Sequence, residues 1–324
     1  MKTIPELLEA ISQALAAEPF DRQPKRLYEP IQYALSLGGK RMRPMLLLMA
    51  YQLYKEDIDT AMTAALGIEY YHNFTLLHDD VMDRADMRRG KPTVHKVWNE
   101  NAAILSGDNM LVMAFRHMAA VPTPYLKAVM DLFIETAQQV DEGQQMDIDF
   151  ESRMDVQEEE YIEMIRLKTS VLPACALKLG AILADAPETD VQALYDFGIN
   201  LGLSFQLQDD LLDVYGDPAT FGKNIGGDIL CNKKTYMLIQ ALKEADAQQG
   251  TELQEWLTCE HFDPQEKIAA VTRIYNIVGV RQLAEKKIND YFEAALAALN
   301  AVHLPAERKQ VLLDMAHKLL KRKS

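Results

Sequence analysis

Two acid clusters with the same spacing constrain this chain more than any other feature. Asp79-Asp80-Val81-Met82-Asp83 and Asp209-Asp210-Leu211-Leu212-Asp213 both read DDxxD, 130 residues apart. Each closes a long apolar run of helical period, so carboxylates three or four residues apart share a helix face. Like charges placed this way repel and weaken a bare helix. One such cluster reads as a solvated acidic helix end. Two, each following a run that should be interior, call for a cation to offset them. All-oxygen ligands suit a hard ion, and Mg²⁺ usually shares itself among carboxylates, waters and substrate phosphates. No glycine-centred twelve-residue loop is present, which sets an EF-hand aside.

The rest of the chain repeats the helical pattern. Apolar residues recur at three and four over 6–16, 41–54, 62–83, 101–120, 125–150, 158–183 and 191–215, and again through the last third. Alternation of the β type is almost absent. Breaks at 17–25, 88–95, 121–124, 185–190 and 216–228 carry Pro and Gly and read as turns, not interdomain linkers. The expectation is an all-α fold, a large helical bundle forming a single domain over 1–324. At 48 % hydrophobic residues the chain can fill a large core, and the Met and Leu stripes read mostly as that core.

Charge and cysteine usage narrow the setting. A formal charge of -14 disfavours a nucleic-acid surface but leaves room for a basic pocket. Three scattered cysteines show no disulfide or metal spacing, which fits a cytoplasmic protein. No apolar run approaches the ~20 residues of a membrane span, and no signal peptide is read.

Carboxylates holding Mg²⁺ need an anionic substrate, and basic residues are present to meet one. GGKRMRP puts Lys40, Arg41 and Arg43 behind two glycines. Lys40 and Arg43 are three apart and can share a face, whereas Arg41 can point elsewhere. Arg88 and Arg89 follow the first acid cluster. Lys223 and Lys233 flank a glycine-rich turn, and Lys168 is a lone cation in IRLKTSVLP, readable also as a snorkelling surface lysine. His72 and His95 read as core or as phosphate contacts, and His78 as a group orienting a carboxylate. The Walker pattern GxxxxGK[ST] is absent.

Taken in order, GGKRxRP, DDxxD…RRG, KT, FQLxDDxxD and GKxxGxD…KxT resemble the trans-isoprenyl diphosphate synthases, the head-to-tail prenyltransferases of short-chain type. That resemblance implies an isoprenoid synthase bundle around a central cavity, assembled as a homodimer. It implies that Asp79, Asp80, Asp83, Asp209 and Asp210, supported by Asp213, hold three Mg²⁺ ions against an allylic diphosphate. Arg88, Lys168, Lys223 and Lys233 would contact the same diphosphate. Lys40, Arg43, His72 and Arg89 would bind isopentenyl diphosphate, and Thr169 and Gln206 would face the developing allylic cation. Arg322 loosely matches the family's terminal arginine, and GKNIGGD lacks the proline often found after GK. The implied reaction joins isopentenyl diphosphate head-to-tail to dimethylallyl, geranyl or farnesyl diphosphate. The rival readings are a terpene cyclase, which needs no second diphosphate pocket, a partner subunit without activity, and a helical scaffold or metal-storage protein.

Product length follows from bulk below the first cluster. At 1.5 Å of rise per residue, Phe74 lies about 7.5 Å and Tyr71 about 12 Å below Asp79. In the family, bulk at these positions and at Thr75 forms a floor. Phe74 and Tyr71 argue for a short product, whereas Thr75 is small and leaves room. The expectation is C20 geranylgeranyl diphosphate, with C15 farnesyl diphosphate the close alternative.

Overall fold

A computed structural model describes residues 1–216 and 225–320. The regular structure among the described residues is helical apart from one hairpin of two two-residue strands, and these residues gather into two compact units. Unit 1 comprises Met1–Glu135, Cys175–Leu194 and Leu304–Leu312, and unit 2 comprises Thr136–Ala174, Tyr195–His303 and Leu313–Ser324.

The first unit begins with α1 (Ile4–Ala16), opened by a capping box in which Thr3 and Glu6 satisfy each other's backbone. Next come α2 (Lys25–Ser36), α3 (Met42–Gln52) and α4 (Asp59–Met82). α3 is buried from Pro44 to Gln52, and α4 is buried on most faces. Neither could be a surface helix, because its apolar residues run all round. α2 was not expected. Pro30 interrupts its apolar pattern: it lies inside the helix, beyond the first turn, where it removes one backbone hydrogen bond.

After α4 the chain turns through Arg84 and forms the antiparallel pair β1 (Met87–Arg88) and β2 (Lys91–Pro92), with Arg88 opposite Lys91. α5 (Val94–Val97) and α6 (Glu100–Ala119) follow. α6 packs closely on α4, where a Cβ on Gly67 would press on the Ala114 carbonyl at 3.2 Å.

α7 (Thr123–Glu151), α8 (Glu158–Ile165), α9 (Val171–Leu183) and α10 (Glu188–Tyr215) supply residues to the second unit. α8 and α9 are joined by one π-helical turn, Arg166–Ser170. The second unit's core includes Tyr161, Leu207, Leu211, Ile239, Leu253 and Ile274. Within the helical pattern of the last third, the apolar run at 267–299 is two helices, Pro264–Val278 and Val280–Ala301. They are separated by Gly279, whose left-handed φ of 76° ends the first. No described helix is long and apolar enough to cross a membrane.

Candidate active site

α4 delivers the first acid cluster at its C-terminal end. Asp79 and Asp80 lie in the last turn and Asp83 is the C-cap. Asp80 is only 4 % exposed, Asp79 is half-buried and Asp83 is exposed. The hairpin returns Arg88 over the helix end. Its Nε donates to both Asp80 oxygens at 2.9 and 2.8 Å, and its Nη2 stands 2.8 Å from Oδ1. A guanidinium fork on a buried carboxylate is the strongest geometry for such a pair.

Beside it, the turn before α3 and the body of α4 form a cleft of about 430 Å³. It is lined by Lys40, Arg41, Arg43, Glu69, His72 and Arg89, among others. All four residues expected to bind the second diphosphate therefore share one wall. Arg43 Nη1 lies 3.1 Å from His72 Nε2. Burial, reinforced by Arg43, Arg89, Arg88 and Arg41, holds the His72 pKa well below the ordinary imidazole value, so a neutral ring accepts from Arg43. Burial and the charge of Arg89 push Arg43 down to about 10 against the pull of Glu69. Arg43 Nε is buried without a partner among the described residues.

Arg41 turns away from its neighbours. Its backbone is left-handed, with φ 46°, and its Nη1 meets Glu69 at 2.5 Å while Nη2 donates to the Leu35 carbonyl at 2.6 Å. Asn73 donates to the same Glu69 carboxylate at 2.9 Å. Glu69 thus supplies the counter-charge that lets several cations converge, a role no motif announced. Arg89, also left-handed, donates to the Gly38 carbonyl. A Cβ on Gly39, where φ is 127°, would strike that guanidinium at 2.7 Å.

The second cluster lies on α10. Asp210 is 4 % exposed, whereas Asp209 and Asp213 are half-buried. Tyr161 donates to Asp210 Oδ2, and Gln206 Nε2 donates to Oδ1 at 3.0 Å. Thr169 in turn donates to Gln206 Oε1 at 3.2 Å, so both groups expected to face an allylic cation belong to one hydrogen-bonded chain. Burial and the charge of Asp228 push Asp210 up to about 7, against the pull of Lys233, Tyr161 and Gln206. Asp213 Oδ2 accepts from the Asp228 backbone at 2.9 Å.

Lys168 sits in the π turn, a feature that often marks functional sites. The wider turn is possible because glycines face it. A Cβ on Gly143 of α7 would collide with the Lys168 backbone nitrogen, and one on Gly202 of α10 would meet Ser170 at 2.7 Å. Lys168 pairs with Asp147, so it is not a snorkelling surface lysine. Lys223 and Arg322 lie outside the described residues.

Sequence reasoning passed over Asp147, Asp228 and Tyr161. The first two are single acids without a repeat, although Asp228 stands inside the quoted GKNIGGD. Among the described residues no three acidic, His or Cys side chains converge into a ready-made ion cage. The donor chemistry still fits Mg²⁺, which takes one or two carboxylates and completes its shell with water and phosphate oxygens. A buried carboxyl raised by a neighbouring carboxylate is one that a cation would relieve.

Below the first cluster, Phe74 lies 5.5 Å from Tyr71, centroid to centroid, and Tyr71 meets Phe133 of α7 edge-on at 5.3 Å. Phe133 meets Phe115 of α6 at 5.2 Å. The aromatic cluster thus extends over three helices, two of which sequence spacing could not reveal. Thr75 folds its hydroxyl onto the His72 carbonyl at 2.9 Å. His78 does not serve the acid cluster: its Nε2 lies 3.1 Å from the Ile104 carbonyl. His95 Nε2 stands 3.5 Å from Thr93, and its Nδ1 is buried without a partner among the described residues.

Residues 24–277 match the polyprenyl synthetase family. A geranylgeranyl diphosphate synthase of Methanosarcina mazei is 41 % identical over 225 residues, 68 % of this chain and 69 % of that protein. A crystal structure of a geranylgeranyl pyrophosphate synthase superposes with a TM-score of 0.95 at 44 % identity, covering 100 % of both chains. Another, from Corynebacterium glutamicum and complexed with isoprenyl diphosphate and magnesium, gives 0.85 at 28 % identity, covering 99 % of each chain.

Proposed function

This chain belongs to the polyprenyl synthetase family, and from that premise we propose that it is a Mg²⁺-dependent trans-prenyltransferase. It condenses isopentenyl diphosphate head-to-tail with an allylic diphosphate, giving geranylgeranyl diphosphate, with farnesyl diphosphate the nearest alternative. In this reading residues 1–324 work as one isoprenoid synthase domain. The observation that carries it is the cleft of Lys40, Arg43, His72 and Arg89, a second anion pocket beside the acid cluster. A terpene cyclase has no use for that pocket.

The chemistry follows from the charges. Arg88, Lys168, Lys223 and Lys233 hold the allylic diphosphate, and negative charge grows there as its C–O bond breaks. Fixed cations stabilise that charge where it forms, without reorganising. Mg²⁺, three ions in this reading, supplies Lewis-acid neutralisation of the leaving group when bound to Asp79, Asp80, Asp83, Asp209, Asp210 and Asp213. Gln206 is held at both ends of its amide, so its oxygen and that of Thr169 keep a fixed aim toward the allylic carbon. Lys40, Arg43, Arg89 and neutral His72 hold isopentenyl diphosphate. Its double bond attacks the allylic cation, a carbon–carbon bond forms, and the departing diphosphate takes the released proton.

The protein acts in the cytoplasm as a homodimer without nucleic acid. Support for the dimer is the apolar outer face of α6, where Leu105 and Val112, two turns apart, are 59 % and 63 % exposed. The discriminating test is diphosphate release. It should require isopentenyl diphosphate and an allylic diphosphate together. Release from the allylic diphosphate alone, with a cyclic hydrocarbon, would establish the cyclase instead.

A further inference from the structure

One buried charge in the second unit has no part in the chemistry above. Lys267, on the helix Pro264–Val278, is 0 % exposed. Its Nζ donates to Asn232 Oδ1 at 2.6 Å and stands 4.1 Å from the centre of the Phe262 ring. Among the described residues, the titratable groups acting on its charge are the thiols Cys259 and Cys231, and burial holds its pKa below the usual lysine range. An ammonium buried without a carboxylate is costly, so its retention calls for something that it holds.

What it holds is Asn232, which has a left-handed φ of 54°. Asparagine tolerates that conformation better than most residues, but it still needs local bonds to stay there. Both ends of its amide are engaged, Oδ1 by Lys267 and Nδ2 by the Leu257 carbonyl at 3.0 Å. Its own carbonyl accepts from Lys234 Nζ at 3.1 Å, and Lys234 also reaches the Glu151 carbonyl at 3.2 Å. The next residue is Lys233. Its N–H donates to the Asp228 carbonyl at 2.9 Å, and its charge is felt at Asp210.

We propose that Lys267 is a positioning residue for the condensation. Acting through Asn232, it fixes the strained backbone from which Lys233 meets the allylic diphosphate. The proposal rests on the function assigned above. A lysine reaching the site from a left-handed neighbour has its direction set by that neighbour's dihedrals, and misplacing a charge by about 1 Å can cost up to a hundredfold in rate.

The test compares wild type with Lys267→Met, which keeps volume and loses the donor, and Asn232→Gly, which keeps the left-handed backbone and loses the amide. Calorimetry measures binding of geranyl S-thiolodiphosphate, an unreactive allylic analogue, in Mg²⁺. Steady-state kinetics gives KM for each substrate. Both variants should weaken analogue binding and raise the allylic KM about tenfold, the loss typical of removing a residue that orients a ligating group. The KM for isopentenyl diphosphate should stay within about twofold, because Lys233 does not serve that substrate. Unchanged allylic binding in both variants would overturn the proposal. So would equal losses for the two substrates, which mark a general loss of structure. If Lys267→Met does not fold, Asn232→Gly decides. A wild type that binds the analogue but does not condense counts against the function, while its binding ratio to the variants still tests Lys267.

Discussion

Replacing Phe74 by alanine should lengthen the product by one isoprene unit. Phe74 is the first Phe or Tyr ring below Asp79 on α4, and Tyr71, three residues deeper, is the next. Three residues of helix rise span about 4.5 Å. Four bonds, the isoprene repeat, span about 4.8 Å when extended, at the per-bond reach of an extended peptide. Removing Phe74 therefore opens room for close to one repeat before the chain meets Tyr71. Tyr71 is buried and backed edge-on by Phe133, itself backed by Phe115, so it should not yield. Phe74 is half-buried, which keeps the stability loss below the 3–5 kcal/mol of a fully buried Phe→Ala change. The assay is mass spectrometry of dephosphorylated products with geranyl and farnesyl primers. The dominant product should move up by five carbons. Tyr71→Ala alone should change length little, because Phe74 still stands above it. An unchanged Phe74→Ala distribution, or a broad jump of several units, would refute the floor.

Other perturbations test the remaining parts. Glu69→Ala leaves Arg41 buried without its counter-ion, so unfolding free energy in denaturant should fall by about 3 kcal/mol and the isopentenyl diphosphate KM should rise. Undiminished stability would show that the pair is dispensable. Asp210, held near 7, keeps its proton in the folded metal-free protein over a range where the unfolded carboxyl has lost it. Its contribution to stability is present below the unfolded value and is lost as pH rises through about 7. Mg²⁺ needs the carboxylate, so apparent Mg²⁺ affinity should weaken up to about tenfold per pH unit below 7. Titration calorimetry in buffers of different ionisation enthalpy should detect the released proton, and its absence would contradict the shift. Leu105→Glu on the outer face of α6 should give a monomer by light scattering, and an unchanged mass would place any dimer contact elsewhere.

How much was legible in the sequence depended on the kind of signal. Repetition and charge were readable. The two DDxxD clusters end α4 and lie in the last turns of α10, and Lys40, Arg43, His72 and Arg89 line one cleft. The ambiguity over Arg41 resolves into a brace on Glu69, a residue with nothing in its spacing to distinguish it from other helix acids. α2 escaped because Pro30 masks its period. The π turn escaped because one extra residue barely disturbs a helical pattern, although Gly143 and Gly202 were the residues that admit it. Asp147, Asp228, Phe133 and Phe115 matter through neighbours far away in sequence, and a single chain gives no periodic signal for such pairings.

The central claim is tested most directly by incubating the purified protein with Mg²⁺, isopentenyl diphosphate and each allylic diphosphate in turn, and reading product lengths by mass spectrometry. The account predicts a dominant C20 product, or C15 as the nearest alternative, from dimethylallyl and geranyl primers. No condensation with any primer across a range of Mg²⁺ concentrations would contradict it.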